Sequence, residues 1–454
     1  MGLNLRFSSH VGLLAFSLAD LLACSHPSIG AGQVGGAGGG PGVARDGGAD
    51  RGAGDAAGPS RGPAPPLPGV RFPFPQNRMS AGCIYPTGYR NEDVMTAYTR
   101  WKADTVTASG AGGHLRIRRP LDPGLDKDST VSEGIGYGMI IAVFMNDQPL
   151  FDELWKYEQT PAFLDDNGLM HWYISADGQV VLGENGATDA DEDMAFALLM
   201  ADKQWGGSGS LGKSYLQHAT DQITKIWNHE VLDSKLAAAG DHFLDWNNIN
   251  ISYFAPAYYR LFKKSVTIPG ADWDAVIKTA YDTIDIALNN DRVHQQMNGL
   301  VPAWCASHGA PPDGVCSPVP APAGSASNYQ YDSCRTPFRI ALDWCWFGEP
   351  RARSYLARTS AFFSGVGAAR IADGYALDGT PQPIYGADGG QSAAFVGPAG
   401  VGAMSSATYQ TFVDQAYAAV VTGKLLVGGT YYDESWTVLS LLMMTGNFLD
   451  YTSY

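Results

Sequence analysis

Beyond about residue 72, apolar residues recur at helical spacing in eleven stretches: 91–106, 133–144, 150–159, 191–203, 214–228, 251–262, 273–288, 333–344, 352–363, 406–422 and 435–445. Apolar positions three and four apart predict an amphipathic helix for each. Gly- and Pro-rich segments separate the stretches and strand-type alternation is scarce, so an all-α domain is expected. The absence of alternating strand–helix units argues against a TIM barrel or a Rossmann sheet. Successive helix pairs suit a toroid of helical hairpins, although the period alone also admits an irregular bundle. Two short strand-like pieces, 115–118 and 172–174, are expected to decorate one mouth.

The first seventy residues read differently. Residues 1–24 resemble an export signal, with Arg6 ahead of an apolar run too short to span a bilayer. The run ends in Leu21-Leu22-Ala23-Cys24, which resembles a bacterial lipobox and makes Cys24 the lipidation candidate. An ordinary cleaved signal with an incidental Cys24 is the other reading, since Asp20 interrupts the run. Residues 25–70 hold Gly, Ala, Pro and Ser without period, as a disordered linker does. A coil of about 45 residues reaches roughly 35–40 Å from its anchor. Residues 71–454 are expected to form the folded domain. Both signal types predict export: lipid-anchored at the cell surface or periplasm, or secreted. Membrane contact is expected only through an N-terminal lipid, and the protein is expected to be a monomer.

Export bears on the six cysteines. Cys305 and Cys316 flank a Pro/Gly loop and are the expected disulfide in an oxidising compartment. Cys334 and Cys345, about three helical turns apart, cannot bond each other and are expected to be buried free thiols. No Cys/His cluster has zinc-site spacing, and neither a metal nor a cofactor is expected. A formal net charge of −15 argues against an electrostatic grip on nucleic acid and favours a neutral polymer, with a cationic one still open.

Three acidic segments carry the candidate chemistry. Glu133, in Ser132-Glu133-Gly134-Ile135-Gly136-Tyr137-Gly138, opens an apolar helix with Ser132 as its expected N-cap. A first-turn acid is favoured by the helix dipole on structural grounds alone. The three glycines, however, strip side chains from the turn and lower helix propensity, as if something bulky must lie there. Asp189, Asp191 and Asp193 alternate, but Met194 and Met200 stand where a calcium loop needs Gly and Glu. One or two of these acids can cap the following helix. The remaining one, with Asp189 the first choice, can reach sugar hydroxyls in a cleft. Asp332 stands beside Tyr331 and three residues before Arg335. That spacing makes an ordinary structural pair, and is also how a general base is kept ionised. Separated carboxyls, one protonated and one activating water, are what glycosidic hydrolysis with inversion requires.

Aromatics complete the set. Trp172, Trp246, Tyr253, Tyr431 and Tyr432 fall near expected loop–helix junctions, where core packing and sugar stacking are both available to them. No Gly-x-Ser-x-Gly motif supports a Ser-His-Asp triad.

In this order, Ser132-to-Met139, Ala187-to-Trp205, Ser252-to-Tyr259, Arg335-Thr-Pro-Phe-Arg339 and Thr445-Gly-Asn-Phe448 resemble segments of glycoside hydrolase family 8. The resemblance covers roughly residues 80–450. It implies an (α/α)6 barrel with an open cleft and inverting hydrolysis of a polysaccharide. Glu133 takes the general-acid position, Asp332 the base and Asp189 the acid that binds the distorted sugar. Arg335 and Tyr253 fall around the base. Trp172 matches a sugar platform; Trp246 matches less securely. The Ala-Thr-Asp-Ala-Asp form is more like the cellulase-type members, so β-1,4-glucan is the expected substrate. Xylan, mixed-linkage glucan and chitosan are the alternatives. A tethered glycan-binding protein without catalysis is the reading from another class.

Overall fold

The computed structural model describes residues 69–244, 248–289, 297–306, 317–318 and 328–454. The expected signal with Cys24, residues 25–68 of the expected linker, Trp246 and Cys316 lie outside them. Twelve α-helices occur among the described residues: α1 (Asn91–Thr105), α2 (Ser132–Phe144), α3 (Gln148–Glu158), α4 (Thr188–Gln204), α5 (Tyr215–His229), α6 (Pro256–Ser265), α7 (Trp273–Leu288), α8 (Thr336–Phe347), α9 (Pro350–Val366), α10 (Ala393–Ala403), α11 (Gln410–Val421) and α12 (Thr430–Met444).

The even-numbered helices close a ring. Each packs on the next, from α2 through α4, α6, α8 and α10 to α12, and α12 returns to α2. The odd-numbered helices pack outside: α1 on α12, α3 on α2, α5 on α4, α7 on α6, α9 on α8 and α11 on α10. This is the (α/α)6 barrel, with one hairpin per sector. Composition sorts the layers. Every residue of α10 is buried, as are nearly all of α2 and α12, while α5 and α7 keep a solvated polar face.

α10 lies in none of the expected helical stretches. Its sequence, Ala-Ala-Phe-Val-Gly-Pro-Ala-Gly-Val-Gly-Ala, has low helix propensity and an internal Pro398. Packing forms this helix instead. A methyl group at Gly397 would meet Ser440 of α12, and one at Gly402 would lie 3.0 Å from Pro337 of α8. The 251–262 stretch also divides, into a 3₁₀ turn (Ile251–Tyr253) and α6. Pro256 disfavours helical geometry in the residue before it, and Ala255 stands at φ −122°, ψ 66°. α4 and α12 both begin earlier than the pattern predicts, so Tyr431 and Tyr432 lie inside the first turn of α12. Of the short strands, β1 (Val106–Thr107) pairs with β2 (Arg116–Ile117). β3 (Thr130–Val131), β4 (Tyr173–Ile174) and β5 (Val181–Gly183) form an antiparallel sheet leading into α2, and β6 (Cys305–Ala306) pairs with β7 (Ser317–Pro318). β2 and β4 fall on the two expected strand-like pieces.

The expectation of a free Cys345 is corrected. It bonds Cys83, 262 residues away, with Cα atoms 5.5 Å apart, and so staples the segment before α1 to α8. Sequence spacing compared Cys345 only with Cys334, whereas the fold brings it the partner. Cys334 is free and buried, its thiol 3.0 Å from the Tyr331 carbonyl. Cys305 is disulfide-bonded. Cys83→Ser is expected to lower unfolding free energy by about 2–5 kcal/mol. Denaturant melts of the variant and the parent check it; coincident midpoints would show that the staple constrains little.

Candidate active site

The N-terminal ends of the inner helices open on one mouth of the barrel, and the candidate residues sit there. Glu133 is in the first turn of α2 and Asp189 in that of α4. Tyr253 ends the turn before α6. Asp332 precedes and Arg335 ends the 3₁₀ turn Ser333–Arg335 that runs into α8, and Tyr431 and Tyr432 lie in the first turn of α12. Helix N-termini present unpaired N–H groups and positive partial charge, so this mouth suits anionic groups. An open cleft crosses it, lined by Glu133, Asp189, Asp332, Trp172, Tyr253, Tyr331 and Tyr432, among others.

Beneath the cleft Arg335, with 1% of its side chain exposed, ties the carboxylates together. Its Nη1 donates to Glu133 Oε2 and, at 2.5 Å, to Asp189 Oδ2. Its Nη2 donates to Asp332 Oδ1 at 3.3 Å, and Nε to Ser252 Oγ and the Asp332 carbonyl, each at 3.2 Å. The Tyr253 ring covers the guanidinium at 5.1 Å. One planar cation thus orders three acids. Glu133 and Asp332 bond the two terminal nitrogens of one guanidinium, so their carboxyl oxygens lie within roughly 8 Å of each other across it. That bound overlaps the lower part of the roughly 6.5–9.5 Å range of an inverting pair.

The alternating aspartates are resolved by helical geometry. Asp189 and Asp193, four apart on α4, face the barrel axis, where Arg335 and Arg339, also four apart, meet them. Arg339 grips Asp193 with two bonds of 2.9 and 3.0 Å, one rung below Asp189. Asp191 points outward and accepts from Gln222 of α5 at 2.8 Å. None of them caps α4, whose N-cap is Ala187, and Ser132 does not cap α2, whose N-cap is Val131. The α2 glycines serve packing rather than a ligand. A methyl at Gly136 would sit 3.0 Å from Asp193 on α4, one at Gly134 3.1 Å from the Tyr431 ring, and one at Gly138 2.8 Å from Leu154.

Glu133 and Asp332 differ in surroundings. Burial, helped by the Asp189 charge and offset in part by Arg335 and Tyr431, pushes the Glu133 carboxyl up to about 7. The Tyr431 hydroxyl donates to its Oε1. Asp332 is also raised: burial outweighs the opposing Arg335 and the donors from Gln330 and Trp304. The arginine alone therefore does not keep this carboxyl at its ordinary value, contrary to the i, i+3 expectation.

Trp172 enters the cleft from the residue before β4, and its carbonyl accepts the Ser132 N–H at 2.9 Å, which holds it beside Glu133. A side chain at Gly183 would collide with its indole. The hydroxyls of Tyr331 and Tyr432 are committed to Asp373 and to the Tyr331 carbonyl, at 2.8 and 2.7 Å, so their rings form the wall. Sequence reasoning did not single out Trp304, Tyr385, Arg119 or Asp122, which also line the cleft. Asp122 accepts the Tyr431 and Tyr432 N–H groups, each at 3.0 Å, and so caps α12 from a distant loop. Trp304 and Tyr385 stand in segments without period; only their type, aromatic beside Cys or Gly, was available as a signal.

The clustered carboxyls and the aromatic-lined cleft agree with what comparison finds. The sequence model of Glycosyl hydrolases family 8 matches residues 77–446. Endoglucanase A of Acetivibrio thermocellus is 35% identical over 82% of this chain and 76% of its own length. Endoglucanase 2 of Ruminiclostridium josui is 34% identical over 85% and 78%. The solved apo β-1,3-1,4-glucanase from Paenibacillus sp. X4 superposes with TM-score 0.73 at 30% identity, covering 83% of this chain and 99% of that one. With its family segments, its barrel and its clustered carboxylates, this chain is a glycoside hydrolase and belongs to glycosyl hydrolases family 8.

Proposed function

We propose that the protein cleaves β-1,4-glucan chains internally with inversion at the anomeric carbon. The observation that carries the mechanism is the shared Arg335, which holds a carboxyl titrating near neutrality and a second carboxylate on opposite edges of one guanidinium. Glu133 gives its proton to the glycosidic oxygen as the C1–O bond breaks. Asp332 takes a proton from the water that attacks C1 from the other face. Asp189 binds hydroxyls of the sugar between them. Trp172, Tyr253, Tyr331 and Tyr432 supply the apolar surfaces against which pyranose rings pack. The similarity to named endoglucanases supports glucan as the polymer. The Paenibacillus enzyme supports mixed-linkage glucan as a second reading. From the sequence of residues 1–70, the enzyme works outside the cytoplasm at the end of a flexible tether, anchored through Cys24.

Initial rates on soluble cellulose derivative, mixed-linkage glucan, xylan and chitosan test the substrate. Cleavage of the cellulose derivative, with viscosity falling ahead of reducing ends, is expected; turnover of xylan or chitosan alone would overturn the reading. The pH dependence has a definite sign. The acid must be protonated, so kcat/KM should fall as pH rises through about 7, the Glu133 value. The base must be ionised, so activity should also fall on acidification, beginning above the ordinary aspartate range because Asp332 is raised. An activity still flat two units above neutrality would contradict the Glu133 assignment.

A further inference from the structure

Asp332 accepts from four side chains, and they are not equivalent. Arg335 Nη2 at 3.3 Å and Asn250 Nδ2 at 3.4 Å reach Oδ1. Trp304 Nε1 at 3.3 Å and Gln330 Nε2 at 2.9 Å reach Oδ2. A carboxylate offers about four lone-pair sites, so this set fills them. Three of the contacts are longer than an ordinary N–H···O bond, and of these the Trp304 contact, at the cleft wall, can yield its site to an arriving water. The Gln330 bond is of ordinary length. Gln330 also accepts the Asp332 backbone N–H at its own Oε1, at 3.3 Å, so one amide grips both the main chain and the carboxylate of the same residue.

Its own placement is rigid. Gln330 is fully buried and does not line the cleft. Its carbonyl accepts the Cys334 N–H at 3.0 Å, and the preceding Tyr329 exchanges two 2.9 Å backbone bonds with Tyr375. Trp304, by contrast, stands in the cleft wall where a sugar would press on it.

We propose that Gln330 is a positioning residue for hydrolysis, anchoring the Asp332 carboxylate from behind while the cleft-lining Trp304 yields its place on Oδ2 to the attacking water. This rests on Asp332 being the general base. An N–H that donates to the carboxylate favours its ionised form and opposes the burial that raises it. Gln330 does not line the cleft and reaches the reaction only through the Asp332 carboxylate, so its removal should act on chemistry and on the base's titration, and barely on substrate affinity.

The test measures kcat, KM and pH profiles on cellohexaose for Gln330→Met and Gln330→Glu, alongside Asp332→Asn and thermal melts. Gln330→Met removes the donor at similar volume, and Gln330→Glu adds a second acid. Expected are a kcat at least about tenfold lower, a KM within about twofold and an acid limb of kcat/KM shifted up by about one pH unit. The shift should be larger for Gln330→Glu, and the alkaline limb should stay in place. A merely structural role would lower melting temperature and kcat without moving the acid limb, and that outcome in whichever variant melts cooperatively would overturn the proposal. If Asp332→Asn retains activity, it is the base assignment that fails. An inactive Asp332→Asn beside unmoved Gln330 profiles would sink the positioning role alone.

Discussion

Asp332→Asn is expected to lower kcat on cellohexaose by about three orders of magnitude and to leave its dissociation constant within a few-fold. Asparagine has the shape of aspartate but cannot take a proton from water at neutral pH. The hydrolysis therefore loses its base, while the aromatic walls and Asp189 remain. Oδ1 can still accept from Arg335 and Asn250, whereas an amide at the other position meets the N–H donors of Trp304 and Gln330 and must give up at least one of those bonds. Steady-state kinetics and calorimetric titration separate the two quantities. Full turnover in the variant would remove Asp332 from the mechanism, and a parallel loss of binding would show it to be a ligand of the sugar instead.

The second large effect is at Arg335. Its side chain is 1% exposed and touches Glu133, Asp189 and Asp332 at once. Arg335→Met would leave three buried or half-buried carboxyls without their common cation, a change that typically costs about 3–5 kcal/mol. Arg335 holds down both Glu133 and Asp332. Without it both titrate higher, the base is protonated over more of the working range, and activity is expected to vanish. Arg335→Lys keeps the charge but not the fork. One ammonium cannot bridge three carboxylates and Ser252 together, so most stability should return without most of the activity. Denaturant unfolding with kcat measurements checks both variants. Wild-type turnover in Arg335→Lys would show that charge alone, rather than the planar geometry, organises the site.

What the sequence revealed follows from how local each feature is. α7 was legible to its last residue because its apolar stripe has the period of a surface-packed helix. α10 was not, because its glycines and proline oppose a helix until α8 and α12 close around it. Glu133 was legible as a first-turn acid, Asp189 as one of three alternating acids at a helix start, and Asp332 and Arg335 as an i, i+3 pair, all short-range signals. Their assembly on one guanidinium joins positions up to 202 residues apart, which no spacing states. The same distance hid the Cys83–Cys345 bond and the Asp122 cap on α12. The α2 glycines were noticed for the right reason, a need for room, but the occupant is the protein's own α4 and Tyr431 rather than a ligand. Gln330 offered a weak local cue, an amide two residues before an acid, whose importance appears only with Trp304 and Asn250 in place.

The central claim is that Glu133 and Asp332 act as acid and water-activating base on a β-1,4-glucan. Hydrolysis of cellohexaose by the full chain, followed by anomer-resolved proton NMR, tests it most directly. Short products appearing first as the α-anomer are predicted, with the β-anomer growing in only by mutarotation. Products appearing first as the β-anomer would mean a covalent intermediate and two inversions, and would contradict the role of Asp332 as a water-activating base.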